Sequence, residues 1–267
     1  MGVDMHALAD DLVSETRALE GLLDPLTEAE WESATPAEGW SIRDQVSHLA
    51  YFDEAATLSA VDPDAFRHAA EAELADIDAF TARVAAEHRD RTGEEQLACF
   101  RDVRARMIDV MATLDPSLRV PWYGSEMSAA SSLTARIMET WAHGQDVADA
   151  LATTRAPTPT LQHVAFLGVR AFANSYRTRG LPVPDTEVRV VLHGPAGETW
   201  SWGPDTASNR VEGPAFDFCL VVTQRRHVDD TALRCTGDIA IEWMTIAQAF
   251  AGPPGIGRRP GQFAGNS

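Results

Sequence analysis

The apolar residues of this chain keep a single period through its first half and not beyond it, and that change limits what it can fold into. From Met5 to Leu151 they recur at three- and four-residue intervals, the spacing of one helix face. Beyond the stretch TRAPTPT (154–160), the segments EVRVVLHG and ETWSWG alternate with period two, as strands do. Helices followed by a mixed set of strands and helices predict an α+β protein of two domains, 1–155 and 156–267, divided at the proline-containing stretch.

Within the first part, the stripe Met5, Leu8, Leu12, Leu19, Leu22 and Leu23 predicts a helix ending near Asp24-Pro25. Ser41 and Asp44 make a capping-box-like start for a helix that carries His48. Asp62-Pro63 opens another helical stretch, residues 94–114 predict a further long helix, and DPSLRVPWYGSEMSA reads as a loop before the helix containing METWAHGQDVADAL (138–151). Four long helices joined in this way predict an antiparallel bundle. In the second part, LQHVAFLGVRAFANSYRTRG predicts one helix, the turn GPAG joins a hairpin, 208–213 and ALRCTGD predict strands, and FDFCLVVTQRR and IAIEWMTIAQAFAG predict helices. The tail PPGIGRRPGQFAGNS is expected to be a poorly ordered extension.

Charge excludes some partners. Residues 1–155 hold 30 Asp and Glu against 12 Arg, a net of −18, whereas 156–267 hold 10 against 10. An acidic first half repels phosphate backbones, so no nucleic-acid partner is expected. All 22 Lys+Arg residues are arginine, which excludes Schiff-base lysine chemistry and a P-loop lysine. No apolar run approaches the ~20 residues of a membrane helix, and the acidic, amphipathic N-terminus does not read as a secretory signal. Cys99, Cys219 and Cys235 are widely spaced and odd in number, so the expectation is a reduced, cytoplasmic protein, monomeric or homodimeric.

In METWAHGQDVADAL, Glu139 and His143 stand four apart, one helical turn, with Asp146 three further on. Such a face is either solvated surface or part of a metal site. Met138 stands where a zincin H-E-x-x-H motif needs histidine, so a metalloprotease is excluded. Two ligands hold a metal poorly; His48, mid-helix between Val46 and Leu49, is the leading third donor. His48, Glu139 and His143 would form a His₂Glu set with room for water or substrate, as in catalytic zinc sites. Asp146 either orients His143 from behind or is a surface acid.

The segments GWSIRDQVSHLAYFDEAA and ARIMETWAHGQDVADAL resemble the two signature helices of the DinB-like metal-binding superfamily, and more narrowly the mycothiol-dependent maleylpyruvate isomerase group. Trp40, Ser41, Asp44, His48 and Leu49 meet the first pattern; Glu139, His143 and Asp146 meet the second. The resemblance implies a four-helix bundle in which His48, Glu139 and His143 bind a divalent metal, zinc foremost. GPAFDFCLVVTQRRHVDD and LRCTGDIAIEWMTIAQAFAG are similar to that group's C-terminal domain, related to sterol-carrier-like folds. There an arginine follows the helix matching FDFCLVVTQRR, which Arg225 or Arg226 matches, although Gln224 replaces the usual glycine. Helix-dipole complementation explains the same arginines equally well.

The expected function is that of a metal-dependent enzyme using mycothiol or another small thiol for isomerisation or S-transfer on a small electrophile. Arg225 or Arg226 would pair with a substrate carboxylate, and Asp146 would assist catalysis. Trp122 and Tyr123 would line the entrance or cap the core. Two alternatives stand beside it. One is metal-dependent hydrolysis with Asp146 or Asp53 as base. The other is a non-enzymatic protein holding a metal, with a lipid or small hydrophobic molecule in the C-terminal domain.

Overall fold

A computed structural model describes residues 2–75, 80, 83, 84, 86, 87, 89–123 and 126–263. The chain folds as two compact units, Met1–Thr154 and Arg155–Ser267. It is an α+β protein, with the helices concentrated in the first unit.

Helix α1 (Met5–Leu23) is capped by Asp4 and buries the stripe Met5, Leu8, Leu12, Leu19 and Leu23. A short α2 (Glu28–Trp31) leads to α3 (Ile42–Val61), started by a full capping box between Ser41 and Asp44. The buried Arg43 guanidinium ties α3 to Glu28 and Glu32 of the preceding turn. Asp62 caps α4 (Pro63–Leu74), with proline at its first position, where no backbone N–H is needed. Thr92 and Glu95 form the capping box of α5 (Gly93–Ala112). The stretch read as a loop holds a small hairpin, β1 (Arg119–Pro121) against β2 (Glu126–Ser128), ahead of α6 (Ala129–Ala150).

Helices α1, α3, α5 and α6 form the bundle. One set of apolar side chains joins Leu8, Leu12, Met107, Leu133 and Ile137 at one end. Leu19, Leu23, Ile42, Val46, Phe100 and Val147 join at the other. Between them lies a charged layer reaching all four helices. Asp53 of α3 bonds Arg104 Nε of α5 at 2.6 Å and Arg136 Nε of α6 at 2.9 Å, and Arg104 Nη1 donates to Thr16 Oγ1 of α1 at 2.6 Å. Arg136 also donates to the Leu49 carbonyl. Such a layer fixes register, because a slip of one helix leaves a guanidinium unpaired in a dry interior.

In the second unit, the helix expected over 161–180 is interrupted at Ala171, giving α7 (Leu161–Arg170) and α8 (Phe172–Arg177). A four-stranded sheet has the order β4-β3-β5-β6, from β3 (Val188–His193), β4 (Thr199–Trp202), β5 (Asn209–Pro214) and β6 (Arg234–Thr236). The expected hairpin pairs Val190 with Trp202. β5 lies parallel to β3, Val190 opposite Val211, and β6 is antiparallel to β5. Helix α9 (Ala215–Val222) packs on α7, where the Gly168 backbone lies against the Val222 side chain. Helix α10 (Asp238–Ile246) places Trp243 against Phe172 and Phe218.

That last helix stops short of the expected Gly252. Beyond Ile246, the Gln248 side chain donates to the carbonyls of Phe250, Gly252 and Pro253, and Ala249 N–H donates to Val222 O, so the chain turns instead of winding on. Nor is the tail a loose extension as far as Phe263: Gly261 N–H donates to Asp230 Oδ1 at 2.7 Å, and the Arg226 guanidinium lies 3.8 Å over the Phe263 ring. Its last four residues lie outside the described set. No helix among the described residues is long and apolar enough to cross a membrane.

Candidate metal centre

Helix α6 is buried on nearly every side; from Thr140 to Ala148 each residue is buried. Of the carboxylate and imidazole that sequence spacing put on one face, His143 is buried and Glu139 is partly buried, so this face is not a solvated one. Both point at α3. The capping box sets where α3 begins, so His48 falls seven residues past Ser41; the Asp53–Arg136 pair sets the height of α6 against α3. One donor atom each from His48, Glu139 and His143 then lies within 4.8 Å of the others. The two imidazole rings are 4.5 Å apart, and His143 Nε2 stands 3.2 Å from Glu139 Oε2.

Burial by itself would raise the Glu139 pKa. The neighbouring His143, Arg136 and His48 side chains outweigh that and bring it down to about 2. Glu139 is thereby held as a carboxylate, although its side chain is only 22% exposed.

Behind His143 stands a residue that sequence reading passed over. Gln45, fully buried on α3, contacts His143 Nδ1 through Oε1 at 2.5 Å and donates from Nε2 to Thr35 Oγ1 at 2.8 Å. The sequence offered only its position, three residues before His48 on the same helix. Trp40 covers the pair of imidazoles, nearly parallel to His143 at 6.1 Å and 5.1 Å from His48. Phe52 packs against His48 as well, at 4.6 Å.

Trp122 and Tyr123 extend this aromatic wall. Trp122 stacks on Phe66 at 5.7 Å, and Tyr123 packs against both Phe66 and Phe52. The Tyr51 hydroxyl donates to Glu73 beside them. Asp146 is buried one turn beyond His143, and it is Gln45 that meets the His143 ring nitrogen. Asp53 is unsuited to act as a base, because both its oxygens are engaged by arginines.

Arg225 and Arg226 belong to the second unit, in the turn after α9. Gln224 there has a positive φ of 60°, the conformation a glycine would adopt more readily. Arg225 Nη1 donates to Thr223 O, and Arg226 lines a cavity of about 340 Å³ with Arg179, His227 and Arg259.

The bundle and its inward-facing polar face define a class, and comparison with known proteins agrees. The chain belongs to the family of the mycothiol maleylpyruvate isomerase N-terminal domain, whose family model matches residues 12–148. Residues 184–236 match a second family model, described as wyosine base formation. Among individual relatives, proteins of Mycobacterium tuberculosis strains H37Rv and CDC 1551, both designated uncharacterized, are 42% identical over 248 residues, covering 93% of this chain and 96% of theirs. A crystal structure of mycothiol-dependent maleylpyruvate isomerase superposes with a TM-score of 0.57 at 15% identity, over 95% of this chain and 97% of that one. A histidine-to-alanine mutant of that isomerase gives the same TM-score at 14% identity. At such identity the likeness is one of fold.

Proposed function

We propose that this chain is a metal-dependent enzyme that uses mycothiol, or another low-molecular-weight thiol, to isomerise or S-transfer to a small electrophile bearing a carboxylate. His48, Glu139 and His143 would hold the ion. The observation carrying this reading is the 3.2 Å between His143 Nε2 and Glu139 Oε2. Two donors each about 2.0–2.1 Å from one zinc ion stand about 3.3 Å apart across a tetrahedral edge. Two imidazoles and one carboxylate are also the donor set of an open, catalytic zinc site. Bound there, a divalent ion would supply Lewis acidity that makes a thiol ionise at neutral pH.

The chain's own residues do the rest. Glu139, held anionic, fixes the charge of the site; Gln45 orients His143; Trp40 and Phe52 keep water from the imidazoles. Arg225 or Arg226 would bind a substrate carboxylate through two parallel N–H donors. Asp146 remains a candidate to assist from α6. Family membership supports the thiol, and the acidic first unit supports a small-molecule partner over nucleic acid.

The test is turnover of maleylpyruvate in the presence and absence of mycothiol and zinc. The reading expects activity only with both, abolished by a chelator and in His48→Ala. Turnover without any thiol would overturn it in favour of hydrolysis.

A further inference from the structure

We propose that Gln45 selects which ring nitrogen of His143 is free to ligate a cation, and that Thr35 sets which end of the Gln45 amide does the selecting. This rests on the metal-site reading above. A side-chain amide has one accepting and one donating end, and a neutral imidazole likewise has one nitrogen of each kind. The amide's orientation is fixed from outside the site. Thr35 Oγ1 donates its proton to the Trp40 carbonyl at 2.9 Å, an atom that can only accept. Its lone pair therefore receives the Gln45 Nε2–H at 2.8 Å. Oε1 is left to face His143, so Nδ1 carries the imidazole proton and donates it.

The other nitrogen, Nε2, then presents a bare lone pair to the Glu139 carboxylate. Two acceptors facing each other at that distance repel unless a positive charge lies between them. The relay from Trp40 through Thr35 and Gln45 thus makes His143 ready to bind a cation through Nε2. Histidine ligands commonly donate their other N–H to a carboxylate or a backbone carbonyl. A neutral amide performs that task here and adds no negative charge to the site. Gln45 is a positioning residue, since it reaches the ion only through His143.

Zinc affinity measured by calorimetry, together with imidazole ¹⁵N NMR, tests this. Gln45→Leu removes the acceptor and should weaken zinc binding about 10- to 100-fold. Gln45→Glu restores an acceptor and should bind zinc at least as tightly as the natural chain. Thr35→Val frees the amide to rotate and should fall between them. In the zinc-loaded natural protein, His143 Nδ1 should carry a proton while Nε2 is ligated. An unchanged affinity in a folded Gln45→Leu variant, or ligation through Nδ1, overturns the proposal. If the natural protein binds no zinc, the metal reading falls by itself. NMR of the metal-free protein with neutral imidazole then decides the role of Gln45: an Nδ1–H tautomer supports it, an Nε2–H tautomer overturns it.

Discussion

Single residues carry charge into the middle of this bundle, and the cost shows how the fold is specified. Burial and the neighbouring Arg136 lower the Arg104 pKa, while Asp53 opposes them. Without Asp53, two guanidinium groups would face each other in a dry layer. Asp53→Ala is therefore expected to cost about 3–5 kcal/mol in denaturant unfolding. A variant with leucine at 53 and methionine at 104 and 136 should recover much of that loss. The tyrosines offer a second test, since all three have raised pKa values. Burial is the main cause for each; Glu73 adds to it at Tyr51, Tyr51 at Tyr123, and Glu242 at Tyr176, which reaches about 12. A phenol raised when folded contributes stability that is complete below its unfolded pKa of about 10 and is lost as pH rises above it. The ultraviolet phenolate signal should thus stay flat through pH about 10 and rise together with alkaline unfolding. A phenolate midpoint near the ordinary value in folded protein would contradict this burial.

At this scale the legibility of the sequence was uneven. His48, Glu139 and His143 stood out because metal donors leave a spacing, and their two motifs match a known pattern. Gln45 and Thr35 left none: an amide three residues before a histidine looks like any polar helical residue. Their roles arise only when α3, α6 and the loop at 33–41 meet.

Elements were legible where the signal is local. The Ser41–Asp44 box and the Asp62-Pro63 start fall where the residue types require. The three-residue strands β1 and β2 escaped notice because each is too short to display a period. The end of α10 depends on Gln248 finding carbonyls within its own turn, and the tail is held by Asp230 and Arg226, contacts with no counterpart in local pattern. Helix contact at Gly168 is testable directly. Glycine in a helix usually costs about 1 kcal/mol against alanine. Here a Cβ would sit 2.7 Å from Val222 Cγ2, a stiff β-branched group. Gly168→Ala should therefore destabilise, by about 1–3 kcal/mol in urea unfolding. A gain in stability would show that α7 and α9 pack less closely.

Across the whole molecule, the division of labour follows the division of charge. The acidic first unit holds the candidate ion site, and the nearly neutral second unit holds Arg225 and Arg226. If the roles divide so, Arg225→Gln and Arg226→Gln should leave zinc affinity unchanged. One of the two should lower kcat/KM for a carboxylate-bearing substrate about 10- to 100-fold, the worth of one charged hydrogen-bonded pair. Equal loss of zinc affinity in either variant would contradict the division.

Metal analysis of the reconstituted, untagged chain bears most directly on the account. One divalent ion per chain is expected in the natural protein, with little retained in His48→Ala and His143→Ala variants that still fold. An absence of bound cation after reconstitution, or equal occupancy in those variants, would contradict it.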